Sequence, residues 1–267
     1  MTAELIFIGT SSALAELNRF HSSFILQLND YYLLMDAGDG ISRALIAAGI
    51  PFSLISGVMI SHRHADHWAG LPSLFTQWKL GRRSAPVSLF FHQTDESAVK
   101  RLLADSYLFE DRFGFQAVYT PFRTGSEFRP ADGISVLPFA NSHLDKYKGY
   151  DVSGGGFYSG SFLITAGGKT LFYTGDIGGE ADLMPAGETP DIYISECSHV
   201  SADSFRSLAE KHEHTMIILT HYTSEQEPGL LALTREFPEN RIILAKEGMT
   251  IELTTGTVYE KRSRINV

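Results

Sequence analysis

The sequence predicts an α/β protein in which two mixed β-sheets pack face to face with helices on the outside. Three observations predict it. Short apolar runs of strand length alternate with helix-like segments along the whole chain. These runs gather into two β-rich halves, each flanked by helical segments. No low-complexity tract or short-period repeat divides the 267 residues, so a single domain over 1–267 is expected, with ample core to bury.

Strands are expected over 5–8, 23–28 and 31–36, the last two joined by the turn Asn29-Asp30. A helix over 41–48 is stopped by Gly49, with Pro51 beyond it. A strand over 56–60 runs into a polar segment. A helix over 68–80 ends at Gly81, and a strand over 87–91 precedes a helix over 97–106. The second half repeats the theme with strands over 134–139, 160–165, 170–173 and 191–195. Ser201 is placed to cap a helix over 201–212, and a strand over 216–220 follows it. Thr223-Ser224-Glu225-Gln226 has capping-box spacing for a helix running toward Phe237-Pro238. Strands over 241–245 and 249–253 close the pattern. Ser153-Gly154-Gly155-Gly156 reads as a turn rather than a phosphate cradle, because neither a Lys-Ser/Thr pair nor a helix start follows it.

Composition narrows the function. The chain is 43% hydrophobic and 20% charged, the proportions of a globular protein. No apolar run approaches the ~20 residues of a membrane helix. The start, Met1 through Thr10, lacks a basic segment and reads as a first strand rather than a signal peptide. Cys197 is the only cysteine, so no internal disulfide forms and any metal must be held by imidazole and carboxylate. A cytoplasmic location is expected. The net charge of −9 opposes a long polyanion, and the basic clusters are short: Lys79 with Arg82-Arg83, Lys146 with Lys148, and Lys261-Arg262 with Arg264. Divalent ions would offset that charge locally, which leaves room for a small anionic substrate.

The chemistry concentrates in Ser61-His62-Arg63-His64-Ala65-Asp66-His67, directly after the apolar run Gly57-Val58-Met59-Ile60. Three imidazoles and a carboxylate within six positions exceed what one closed structural site needs. Side chains of an extended segment alternate, so His62 and His64 can meet on one side, and a turn can carry Asp66 and His67 to a neighbouring point. Two metals sharing one loop is the economical reading, and paired metals suit hydrolytic displacement. His143, Asp176 and His221 each follow an expected strand, where a side chain can reach a shared site. Gly175 lets the turn before Asp176 approach closely.

On these residues the chain resembles the metallo-β-lactamase superfamily along essentially its whole length. The resemblance implies an αββα sandwich with a binuclear site at one sheet edge. It implies that His62, His64 and His143 hold the first metal, that Asp66, His67 and His221 hold the second, and that Asp176 bridges them. Within the superfamily the chain is most similar to ribonuclease Z and related phosphodiesterases. Phe7-Ile8-Gly9-Thr10-Ser11-Ser12, Arg19 with Ser22-Ser23, Met35-Asp36-Ala37-Gly38-Asp39-Gly40 and Ala245-Lys246-Glu247-Gly248-Met249 carry that similarity. His199 precedes His221 by 221 − 199 = 22 positions, the separation at which ribonuclease Z proteins keep a non-ligand histidine beside the scissile phosphate. Glu196 is similar in place to the family's H-E-A-T glutamate.

The resemblance implies hydrolysis of a phosphodiester by a metal-bridging hydroxide. Asp66 would also orient the nucleophile, and His199 would stabilise charge or donate a proton. Two divalent ions per chain are expected, zinc first, with manganese, iron or nickel compatible with the donors. A homodimer is the family's habit. The chain departs from ribonuclease Z in one respect: His143 and Asp176 stand only 176 − 143 = 33 positions apart, an interval already holding two strands, without room for an arm that grips transfer RNA. The expected substrate is therefore a small anionic phosphodiester or nucleotide. Transfer-RNA 3′ processing and hydrolysis of a lactone or thioester are the alternatives.

Overall fold

The computed structural model describes residues 2–150, 156–183 and 189–260; residues 153–155 of the glycine-rich turn lie outside them. The first half lays down β1 (Ala3–Gly9), β2 (Ser23–Leu28), β3 (Tyr31–Met35), α1 (Ile41–Ala47), β4 (Ile55–Met59), α2 (Ala65–Trp68), α3 (Leu71–Leu80), β5 (Val87–His92), α4 (Glu96–Asp105) and β6 (Ala117–Phe122). The second half supplies β7 (Phe128–Ala131), β8 (Ile134–Ala140), β9 (Gly160–Ala166), β10 (Lys169–Tyr173), β11 (Ile192–Glu196), α5 (Ala202–Lys211), β12 (Met216–Thr220), α6 (Glu227–Thr234) and β13 (Ile242–Leu244). The chain then returns to the first sheet with β14 (Met249–Glu252) and β15 (Val258–Glu260).

Two mixed sheets result. One has the order β15-β14-β1-β2-β3-β4-β5-β6 and the other β13-β12-β11-β10-β9-β8-β7. In the first, β3 to β6 run parallel; in the second, β10 to β13 do. Parallel neighbours need crossovers, and helices supply most of them. Phe7, Phe24, Leu26, Phe162, Ile164, Tyr173 and Ile194 form a buried layer between the sheets. At about 1.5–3 kcal/mol for each large apolar side chain, this layer dominates the favourable energy of the sandwich. Leu71, Leu74, Phe75 and Trp78 of α3 cover the outer face of the first sheet, and Phe205, Leu208, Leu230 and Leu233 of α5 and α6 cover the second. The fold is the αββα sandwich. No described helix is long and apolar enough to cross a membrane.

The expected helix over 68–80 starts only at Leu71, as α3, and Trp68 instead ends the separate turn α2. A Cβ on Gly70 would lie 2.1 Å from the Gly38 carbonyl oxygen, so the backbones touch there. Pro72, which has no N–H and is tolerated only in a first helical turn, restarts the helix. The single turn of α2, which carries Asp66 and His67, is thus set apart from α3. The sequence pattern also omits β6, β7 and β15, and all three lie at sheet edges. Pro121 and Pro130 interrupt the first two of these, a residue that ladders tolerate at an edge. Ser201 caps α5 as expected, accepting from Ser204 N. Thr223 and Gln226 make the reciprocal capping-box bonds (3.0 and 3.3 Å), although the helix itself starts only at Glu227, with Gln226 in the N-cap position.

Candidate metal centre

The site forms where strands end. Beyond β4 the chain carries Ser61 through His67 over the sheet edge; His143 follows β8, Asp176 follows β10, and His221 follows β12. Two backbone features bring these ends together. Gly175 has φ +57°, and a Cβ on it would meet the Gly160 carbonyl oxygen at 2.5 Å, so only glycine lets the β10 turn pass so close. His221 itself sits at φ 54°, a left-handed conformation that costs energy and persists only where the surroundings fix it.

All seven expected ligands converge. His62, His64, His143 and Asp176 form one four-donor group, and Asp66, His67, Asp176 and His221 form another, with the donor atoms of each group within 4.8 Å of one another. Asp176 belongs to both. Its Oδ2 faces His62 Nε2 at 4.0 Å and His143 Nε2 at 3.8 Å, while its Oδ1 faces His67 Nε2 at 3.3 Å and His221 Nε2 at 3.4 Å. One oxygen per group is the presentation a bridging carboxylate requires. His64 Nδ1 stands 3.0 and 3.1 Å from the Nε2 atoms of His62 and His143. Asp66 Oδ2 stands 3.3 and 3.2 Å from those of His67 and His221.

These residues fit divalent cations. His67 Nε2 and Asp176 Oδ1 are buried and have no hydrogen-bond partner, an expensive state for polar atoms unless something else satisfies them. Imidazole and carboxylate donors in fours are the set that zinc and its first-row neighbours take. Three of the imidazoles are also oriented from behind. His67 Nδ1 lies 2.9 Å from Asp36 Oδ2, His62 Nδ1 lies 3.0 Å from Ser61 Oγ, and His221 Nδ1 lies 3.1 Å from Ser198 Oγ. Asp36, fully buried, further accepts from Ser61 N (2.7 Å), Ser61 Oγ (2.9 Å) and Tyr173 Oη (2.8 Å). Such outer partners fix the tautomer and direction of a ligand imidazole.

The electrostatics suit the same purpose. Burial holds His62 well below the ordinary histidine range and pushes His143 down to about 4, so both present neutral imidazoles. Burial opposes ionisation of Asp176 as well, but His221 and His67 outweigh it and hold the carboxyl well below its usual value. His67 goes the other way: burial disfavours its charge, and Asp176 and Asp36 on either side more than restore it. The two carboxylates thus favour a proton on His67 in the absence of a cation.

His199 stands beside the groups without joining either. Its ring centroid is 5.0 Å from that of His143, and its Nδ1 lies 2.8 Å from Glu196 Oε1. Glu196 is buried at the end of β11 and also accepts from the backbone N–H groups of Ile177, Ser198 and His199. The bond from His199 to Glu196 raises the imidazole above the usual histidine value, with burial working against it. A cavity of about 480 Å³ opens onto His64, Asp66, His143, Asp176, His199 and His221. A larger cavity, about 580 Å³, lies beside Arg19 and Glu247, and no member of either donor group lines it. The chemistry belongs to the smaller one.

Residues 3–236 match the protein family described as Anti-Pycsar protein Apyc1. The chain belongs to that family. The Anti-Pycsar protein Apyc1 of Bacillus phage 010DV004 is 24% identical over 244 residues, which cover 85% of this chain and 91% of the phage protein. The ribonuclease Z of Archaeoglobus fulgidus is 23% identical over 309 residues, covering 95% and 99% of the two chains. Among solved structures, the metallo-β-lactamase fold protein YhfI from Bacillus subtilis superposes with a TM-score of 0.73 at 19% identity, covering 98% of this chain and 100% of YhfI. The expected membership of the metallo-β-lactamase superfamily, near ribonuclease Z-like enzymes, is borne out. The Apyc1-family chain is a metal-dependent hydrolase.

Three contributors went unassigned in the sequence. Asp36 lies inside the quoted Met35–Gly40 motif, yet its task becomes visible only through contacts with Ser61, His67 and Tyr173. Ser198 and Tyr173 carried no signal of their own.

Proposed function

We propose that this chain hydrolyses a small phosphodiester or a nucleotide at a pair of divalent ions, zinc first among them. One observation carries the reading: two four-donor groups sharing Asp176 open, with His199, into a cavity of about 480 Å³. That volume lies in the lower half of the ~300–1,000 Å³ typical of small-molecule sites. His62, His64, His143 and Asp176 would hold one ion, and Asp66, His67, Asp176 and His221 the other. Bound there, the ions supply an acidified water and neutralise charge on phosphoryl oxygens. The chain's own residues do the rest. Neutral His62 and His143 keep their lone pairs inward, and Asp36 and Ser198 hold the rings of His67 and His221 in line. Asp66, anionic at the cavity wall, orients the attacking water. His199, whose hold on a proton Glu196 strengthens, hands that proton to the leaving oxygen.

The test is a hydrolysis panel on metal-loaded protein: bis(p-nitrophenyl) phosphate, cyclic nucleotides, a lactone, a thioester and precursor transfer RNA. Faster turnover of the small diesters than of every other class is the expected result. Efficient, salt-sensitive cleavage of precursor transfer RNA at its 3′ side would replace this reading with a ribonuclease Z activity, since affinity for a polyanion depends on salt.

A further inference from the structure

Lys146 stands apart from the other cations of the chain. It lines the metal cavity together with His64, His143 and His199, and it is the sole lysine or arginine among the residues lining it. Its neighbour Lys148 is paired with Asp145 at 2.7 Å, whereas Lys146 makes no ion pair among the described residues. The ammonium instead rests 5.2 Å from the centroid of the Tyr147 ring. That ring is held from two sides, edge-on to His64 at 5.9 Å and stacked with Phe157 at 6.5 Å. The turn beneath it is tied down as well. Asp145 N and Tyr147 N donate to Ser142 O and Leu144 O, and Ser142 Oγ donates to Asp182 Oδ2 at 2.6 Å. The positive charge of Lys146 reaches three imidazoles at once, those of His64, His143 and His199.

A cation with no carboxylate partner among the described residues, lining a cavity walled by the donor groups, is a donor waiting for an anion. An aromatic face can steady an ammonium without neutralising it, since the attraction comes from the ring quadrupole. We propose that Lys146 anchors the substrate by binding an anionic phosphoryl oxygen, and that Tyr147 is the positioning residue that keeps the ammonium over the cavity. This rests on the phosphodiester reading and deepens it. The cavity recognises its substrate by charge as well as by metal, and an anionic diester gains a contact that a neutral ester cannot make.

The experiment compares Lys146→Met, Lys146→Arg, Tyr147→Phe and Tyr147→Leu in the metal-loaded protein, with metal content measured for each. Inorganic phosphate is titrated calorimetrically, and KM and kcat are read on bis(p-nitrophenyl) phosphate and on uncharged p-nitrophenyl acetate. Lys146→Met should weaken phosphate binding and raise KM for the diester by roughly 10–100-fold, the loss of one charge-assisted hydrogen bond, with kcat within a few-fold. Lys146→Arg should restore most of the loss. Tyr147→Leu should weaken phosphate a few-fold and Tyr147→Phe should not. Unchanged phosphate affinity in Lys146→Met overturns the proposal, as does loss of metal or an equal loss on the neutral ester. If the wild-type protein hydrolyses no phosphodiester, the functional reading fails by itself, and the phosphate titration still decides the role of Lys146.

Discussion

Replacing Asp36 with Asn changes one oxygen to an amide nitrogen, yet the structure predicts a loss in two separate measurements. Asp36 receives four bonds. Ser61 N donates to Oδ1, while Ser61 Oγ, His67 Nδ1 and Tyr173 Oη all face Oδ2. An amide has one acceptor oxygen, and it will face the three-donor side, which leaves the NH2 against the Ser61 N–H. One buried backbone donor then lacks a partner, a cost of about 1–3 kcal/mol. For a chain of this size that corresponds to a fall of roughly 2–10 °C in the melting temperature of the metal-free protein. The second loss is in metal affinity. His67 Nδ1 exchanges a carboxylate for a neutral oxygen, and outer-partner changes of this kind cost ~10–100-fold in affinity. At 1.4 kcal/mol per tenfold this is about 1.4–2.8 kcal/mol. Thermal melts of the metal-free protein and competition with a zinc chelator measure the two separately. Tyr173→Phe is the control, removing one of three donors from Oδ2 and leaving the His67 contact intact; it should cost ~1 kcal/mol of stability and little affinity. Wild-type zinc affinity in Asp36→Asn would refute the assignment of Asp36 as the group that orients His67.

Other outcomes follow from the same geometry. Metal analysis of protein prepared without chelator should find two ions per chain, and Asp176→Ala should lose both or leave a disordered single ion; one ion in the metal-replete wild type sinks the bridging role. His199→Ala should keep both ions and slow turnover by roughly 10²–10⁴-fold, and released metal would contradict its place outside the donor groups. The rate should fall as pH rises through the His199 value, which Glu196 lifts above the ordinary 6.5, because the protonated ring is the donor. Glu196→Gln should move that alkaline limb to lower pH, and an unmoved limb assigns it to another group. Zinc binding near neutral pH should release protons, His67 being drawn toward its charged form by Asp176 and Asp36, and calorimetry in buffers of different ionisation enthalpy counts them.

The metal groups were legible in the sequence for a physical reason. Histidine and aspartate at strand ends are rarely needed for packing, so their placement after the strands ending near 60, 139, 173 and 220 stands out against an apolar background. Asp36 and Tyr173 did not stand out. They lie 137 positions apart, and their contact exists only once β3 and β10 face each other across the two sheets. Lys146 was visible as a charge, but a lysine beside another lysine reads as solvated surface until the structure shows which of the two has a partner. The edge strands were hidden for the opposite reason: β6, β7 and β15 bury too little to impose a pattern.

The break between α2 and α3 joins these strands of argument. Periodicity alone ran one helix through 68–80, since Leu71, Leu74, Phe75 and Trp78 share a buried face. Asp66 and His67 are consecutive in the short turn of α2, about 100° apart around its axis. Their side chains nonetheless meet in one donor group with Asp176 and His221. Contact between the Gly70 and Gly38 backbones, together with Pro72 at the start of α3, marks the break that sets this turn apart. Ala37 N donates to His67 O at 2.7 Å, and Gly70 N donates to Ala37 O at 2.9 Å. The segment that carries Asp36 is therefore bonded to the same turn that carries His67, so the orienting carboxylate and the ligand it orients move as one unit.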